Sequence, residues 1–475
     1  MKRFSLYLLL SISILCGLSS CFSDEDSTFV IYDDTGIVSF SVGTLKYECH
    51  TTSSKGEDSV YWTTIDCSRY KFYIDQVSKN IYNPDSLPCG VDAAKVICTL
   101  STKNNGIAVI KNIDNDSLKF YSETDSIDFT VPRVFRVLSY SGVASRDYTI
   151  QVNVHKQYPD DFNWNLTVEE PNLAGLKAMR AFALNKEVFV VGHDGANAAV
   201  YAANIYSAAS WRTIVPNVTL AQDVYRNIAI KEETCYAYSD GKLLSSPDMV
   251  EWTEVAAPAL RQLVGASHNF LYAIATNGKL CSSADGVNWV EEVMDTDMSF
   301  LPSENIHLYC KASITNPGVT FLTLVGTSGS EVRIWNKVEE VDAQAQKQVW
   351  IYNNVSDDNR YTLPYLQNLQ LLAYDGAMLA MGALPGAEDA GVAAFSAFYR
   401  STDGGITWRQ QSFYALPEQF RSSTTCFALV EDAEHFLWMI GGESGQVWRA
   451  RINRLGWKEE QKYFGESNTA SGASL

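Results

Sequence analysis

Positive charge is scarce in these 475 residues: 37 Lys and Arg stand against 55 Asp and Glu, a formal net charge of −18. Nucleic-acid binding depends on clustered Lys and Arg that displace counterions, so the balance excludes that partner, and it equally excludes docking on anionic lipid by charge. Histidines number six, at 50, 155, 193, 268, 307 and 435, with no HExxH or HxH spacing. There is no Cys-x-x-Cys, and Asp114-Asn115-Asp116 lacks the glycine and distal glutamate of a calcium loop. Glu431 and His435 are four apart, a spacing that needs a helix to act as one ligand pair, yet the segment leads into a strand. No metal and no cofactor is expected. A phosphate-cradling Gly-rich loop and a Gly-x-Ser-x-Gly elbow are also missing. The single long apolar run, Leu6 to Leu15, is too short to cross about 30 Å of hydrocarbon as a permanent helix.

What is present describes a folded protein: 46% hydrophobic and 12% aromatic residues in a length suited to two or three domains. Lys2 and Arg3, the apolar run, then Gly17 and Ser19-Ser20 make residues 1–20 a secretory signal. Leu18-Ser19-Ser20-Cys21 resembles the lipobox of bacterial lipoproteins, which implies cleavage before Cys21 and lipidation of its thiol. The other reading of Cys21 is an unused cysteine in an ordinary secretory signal. Several acyl chains, at about 0.8 kcal/mol per buried CH₂, would hold the chain to a membrane. Residues 21–27 form an acidic tether whose Asp24-Glu25-Asp26 resembles the tract that sends some lipoproteins of Gram-negative anaerobes to the outer face of the outer membrane.

Residues 28–155 read as a β-sandwich. Val38–Val42 alternates, with Val38, Phe40 and Val42 on one face; Ser126–Val131 and Phe135–Tyr140 are further strands. In Tyr148–His155, Tyr148, Ile150, Val152 and Val154 share one face. The closing stretch from Ser141-Gly142 to Val154 resembles the last hairpin of Ig-like modules. Cysteines 49, 67, 89 and 98 allow two bridges in three connectivities, and pairing stays open. Four Asp-Ser-aliphatic tripeptides, at Ser59, Ser86, Ser117 and Ser126, resemble an O-glycan acceptor of exported bacterial proteins.

After a polar linker, 156–170, and before a disordered tail, 461–475, residues 171–460 carry an internal repeat. Ser246-Pro-Asp248-Met-Val-Glu-Trp252 aligns with Ser283-Ala-Asp285-Gly-Val-Asn-Trp289, each after Gly-Lys-Leu. A third copy, Ser401-Thr-Asp403-Gly-Gly405-Ile-Thr-Trp408, follows a strand expected over Ala394–Arg400. Ser and Asp side chains bond backbone N–H groups a few residues on, and Gly accepts positive φ, so each string folds a tight turn. Trp then opens the next strand and covers a seam between sheets. The aspartates are therefore structural. Closing tryptophans at 211, 252, 289, 350, 408 and 457 give six four-stranded blades, or seven if Trp164 closes another. The pattern resembles an Asp-box (BNR-type) β-propeller, and the whole chain resembles two-domain surface lipoproteins of Gram-negative gut anaerobes. The expected fold is all-β: an Ig-like sandwich, then a propeller.

Sialidases are the best-known Asp-box enzymes, and their first carboxylate-gripping arginine lies in an Arg-Ile-Pro motif. Met179-Arg180-Ala181-Phe182 is the nearest match and lacks the proline. Arg180 is thus a candidate ligand grip, set against a solvated cation at a strand end; no catalytic residue is named. The expected function is binding of a glycan or protein through the propeller of a membrane-anchored, outward-facing lipoprotein. The alternatives are a glycoside hydrolase or lyase with carboxylates at the propeller mouth, and a structural subunit of a surface complex.

Overall fold

A computed structural model of the chain describes residues 31–52, 58–115, 117–340, 348–354, 359–386 and 391–458. Cys21, with the leader and tether, lies outside them, as does the tail from 461. Two compact units divide the chain, one ending at Lys156 and the other spanning Gln157–Lys458.

In the first unit, Ile37–Val42 pairs antiparallel with Val96–Thr102, which pairs with Ser126–Ile127. A second, six-stranded sheet runs in the order Tyr73–Asp75, Asn80–Tyr82, Ser145–Gln151, Arg133–Leu138, Ile107–Lys111, Leu118–Phe120. Both sheets feed one core: Phe40, Val96 and Cys98 from the first, Ile81, Phe135, Val137, Tyr148 and Ile150 from the second. The alternation Tyr148-Thr149-Ile150-Gln151 works as its pattern requires, apolar side chains inward and polar ones exposed. Val38 does not. The register shifts between Ile37 and Ser39, so Ile37 takes the inward place and Val38 is 56% exposed. The strand expected over Ser126–Val131 stops at Ile127, because Asp128 Oδ1 accepts from both the amide and hydroxyl of Thr130 (2.8 and 2.6 Å) and turns the chain. The strand expected over Phe135–Tyr140 is Arg133–Leu138, and the one over Tyr148–His155 is Ser145–Gln151. Of the four Asp-Ser-aliphatic serines, Ser117 and Ser126 are exposed and Ser86 is buried.

The second unit is a ring of six four-stranded antiparallel sheets. Their innermost strands, blades 1 to 6 in order, are Ala178–Leu184, Ile228–Lys231, Leu260–Ala266, Glu304–Ala312, Gln367–Tyr374 and Phe427–Glu431. Six hydrophobic clusters fill the six seams between neighbouring blades, including the seam between blades 6 and 1 (Met179 and Val188 with Trp438 and Ile440), which closes the circle. Second strands carry long buried runs in most blades, and every residue of Ala377–Ala383 is buried. Apolar runs of this kind, buried on both faces, are what a sheet sandwiched between two others demands.

Ring closure departs from the simple count. The outermost strand of blade 6 is Asn165–Glu169, pairing with Gln446–Ala450, so the start of the unit completes its end. Trp164 therefore opens no seventh blade; it packs edge-on against Phe162 and donates Nε1 to the Tyr414 carbonyl (3.1 Å). Trp457 is likewise not a closing strand: it follows the short 3-10 turn Asn453–Gly456. A second clasp lies alongside. Arg454 grips Asp375 of blade 5 with two 2.7 Å bonds and Asp160 with a third (2.9 Å), tying both ends of the unit to one blade. In blade 5 the strand expected over Ala394–Arg400 begins only at Phe398, after a 3-10 turn over Gly391–Phe395.

Candidate functional site

The three Ser-x-Asp strings sit between the third and fourth strands of blades 2, 3 and 5. In each, Ser Oγ donates to Asp Oδ1: Ser246 to Asp248 (3.1 Å), Ser283 to Asp285 (3.0 Å), Ser401 to Asp403 (2.9 Å). The same carboxylates accept backbone amides, Val250 and Glu251, Val287 and Asn288, and Thr407 respectively. Each indole then closes its turn by donating 3.0 Å to a carbonyl: Trp252 to Met249, Trp289 to Gly286, Trp408 to Gly405. Those residues carry positive φ, 77° and 85° at the glycines but also 60° at Met249, where the missing glycine is a strained methionine. The tryptophans enter the seams between blades 1 and 2, 2 and 3, and 4 and 5. Amide donors hold Asp248 and Asp285 below the usual carboxylate range; at Asp403 burial pulls upward but the Thr407 hydroxyl and amide outweigh it. Acids so committed are acceptors, unsuited to giving up a proton.

Strands one and three of an antiparallel sheet run the same way. The Ser-x-Asp turns thus emerge at the end where the innermost strands finish, and the opposite end is where those strands enter. A cavity of about 490 Å³ lies on the axis, walled by the innermost strands of all six blades. Arg180, third residue of its strand, sits toward the entry end; so do His307 and Gln370, each fourth in theirs. Glu431, last in its strand, marks the other end.

Arg180 is half-buried within its strand rather than solvated at a strand end, and Nη1 donates to the Ile306 carbonyl (3.2 Å) of blade 4. Burial, reinforced by the nearby Arg226 cation, pulls its pKa down to about 10. His307 is neutral, since burial first and Arg180 second push it well below its ordinary value; its Nε2–H donates to the Leu369 carbonyl (2.8 Å). Glu431 accepts from His435 Nδ1 at 2.8 Å. That pair meets across a tight hairpin in which His435 takes φ 61°, so its spacing of four reflects a turn and no helix. Burial raises Glu431 above the usual carboxylate value, with His435 opposing.

His307 and Gln370 were not singled out by sequence reasoning. Their signal is positional, a polar residue set between apolar ones within an innermost strand, Ile306-His307-Leu308 and Leu369-Gln370-Leu371. A buried polar network at the seam of blades 3 and 4 was equally hidden: Lys337 Nζ meets Glu292 at 2.6 Å, while Glu339 accepts from Tyr272, Ser267 and Asn269. No group of three or more metal-ligating side chains occurs among the described residues.

A second cavity of about 440 Å³, apolar and lined by Tyr309, Phe321, Met378 and Ile406, belongs to the single seam of blades 4 and 5. Of these two cavities, the axial one is walled by all six blades.

Among solved structures, the chain is similar to the extracellular domain of a putative hybrid two component system from B. thetaiotaomicron (12% identity, TM-score 0.32, covering 73% of this chain and 38% of that one). It is also similar to the Niastella koreensis GH74 enzyme (12%, 0.30, covering 76% and 47%) and to the Aleuria aurantia lectin (10%, 0.23, covering 55% and 69%). The chain thus spans under half the length of the first two. No curated protein matches it. The DUF6242 beta propeller domain matches residues 158–460 and the DUF6242 N-terminal domain residues 40–152, and the chain belongs to that family.

Proposed function

We propose that this chain is a binding protein of the cell surface, and that its ligand, a glycan or a protein loop, enters the axial cavity at the end opposite the Ser-x-Asp turns. The supporting observation is the cavity wall: six innermost strands contribute to it, with Arg180 toward one end and one carboxylate, Glu431, already engaged by His435, at the other. Hydrolysis by a carboxylate pair needs two acids facing one bond, and this wall supplies one. The turns belong, on this reading, to the Asp-box class and serve as rim staples. Cys21 carries the lipid anchor in the outer membrane, and the first unit acts as an Ig-like spacer.

A screen of the chain against glycans and surface proteins tests the binding role. A saturable ligand is expected, and turnover of a glycan without stable binding would replace this reading with the hydrolase one. Protease treatment of intact cells tests display: digestion is expected, and complete protection would place the protein inside.

A further inference from the structure

We propose that the axial cavity holds a small ligand by a carboxylate or phosphate group, gripped by Arg180 at the entry end. This rests on the reading of the cavity as the ligand site and names the chemistry it selects. A guanidinium offers five N–H donors. Among the described residues, Arg180 uses one, Nη1 to the Ile306 carbonyl, and it forms no salt bridge. Nε and Nη2, the edge that grips a carboxylate or phosphate side-on, make no hydrogen bond among the described residues.

Two other partly buried arginines of the same propeller have a carboxylate partner. Arg449 meets Asp432 at 2.7 Å, and Arg454 meets Asp375. Acid is plentiful in this chain, which carries 55 carboxylate side chains, yet among the described residues none forms an ion pair with Arg180, and a second cation, Arg226, lies near it. Arg226 is itself held by Nε to the Tyr225 hydroxyl (2.7 Å). A cation drawn out of water with no counter-charge is costly, and an incoming anion supplies the missing partner. Neutral His307 adds no competing charge. Glu431 at the far end repels a second anionic group, so the ligand carries its charge at one end only. A volume of about 490 Å³ lies in the range of pockets for small organic ligands.

Calorimetry on the full chain tests this with three probes: glucuronate, glucose 6-phosphate and neutral glucose. At least one anionic probe is expected to bind, with glucose about 30-fold weaker or worse, the scale of removing one partner of a buried charge pair. Glucuronate alone identifies a carboxylate ligand, glucose 6-phosphate alone a phosphate, and both the shared chemistry. Arg180→Gln is expected to lose binding by a similar factor at an unchanged melting temperature. Arg180→Lys, which keeps the charge and loses the fork, is expected to fall between, and it carries the test if the glutamine variant does not fold. Equal binding of glucose, or full-strength anion binding by Arg180→Gln, overturns the proposal while leaving the cavity as a ligand site. Failure of both anionic probes to bind also overturns it, and the cavity reading then stands or falls on the glycan and protein screen.

Discussion

Arg180 of blade 1 donates to the carbonyl oxygen of Ile306 in blade 4, three blades away around a ring of six, so its side chain spans the propeller axis. The contact is a single 3.2 Å hydrogen bond to a neutral acceptor, worth about 1 kcal/mol net, set against the burial of an unpaired cation. Structure alone gives little reason for arginine there. Arg180→Met is accordingly expected to melt at the wild-type temperature or slightly above, a change within about 1 kcal/mol, since neutral replacement of buried charge is often stabilising. Thermal unfolding of the ligand-free protein checks it; a large loss would make Arg180 a structural strut.

The three turn tryptophans differ in burial, and their deletion costs should differ in step. Trp408 and Trp252 are 2% and 4% exposed, whereas Trp289 is half-buried. Trp408→Ala and Trp252→Ala are each expected to cost about 3–5 kcal/mol, the scale for large-to-small changes in a core, and Trp289→Ala clearly less. Chemical denaturation of the three variants measures the order, and equal losses would mean that the seams are not where these indoles act.

Ring closure has its own test. Arg454 joins Asp375 and Asp160 while only partly exposed, so Arg454→Ala leaves Asp375 without its fork. The expected loss is about 1–3 kcal/mol, below the figure for a fully buried pair. Removing the Asn165–Glu169 strand should be more damaging, because Gln446–Ala450 then becomes an open edge. Melting temperature and self-association of both variants report this.

In the first unit, Asp85 is buried with neither carboxylate oxygen hydrogen-bonded among the described residues, and burial pushes its pKa up to about 7. The folded state therefore holds a proton that the unfolded chain, at 3.8, releases earlier. Stability from this group is full below about pH 4 and is lost as pH rises to about 7, at no more than about 1.4 kcal/mol per pH unit. Asp85→Asn is expected to flatten that slope and to stabilise the unit at pH 8. Unfolding followed from pH 4 to 8 decides; a slope unchanged in the variant would assign the pH dependence to another group.

The propeller was legible because its turns are written locally. Ser, Asp and Trp at fixed offsets specify hydrogen bonds within eight residues, so Ser401 to Trp408 could be read as one unit. Closure was not, since the partner of Gln446–Ala450 lies some 280 residues earlier, and Trp164 looked like one more repeat. Val38 misled because a one-residue register shift moves a side chain to the other face. Arg180 stood out as the nearest match to an Arg-Ile-Pro motif at the start of the repeat region, though it lacks the proline. His307 could not, because its role comes from Arg180, 127 residues away in sequence and brought close only by the ring. The Lys337–Glu292 pair was invisible for the same reason: charged residues in or beside a strand read as solvent-facing unless the neighbouring blade is known.

The most direct test of the central claim, that ligand enters the axial cavity opposite the Ser-x-Asp turns, is amide hydrogen exchange with and without a bound ligand. The account predicts added protection at the entry ends of the innermost strands, around Met179–Ala181, Asn227–Ala229, Ile306–Leu308 and Leu369–Leu371. Protection confined to the turn at Ser401–Ile406, or to residues before Lys156, would contradict it.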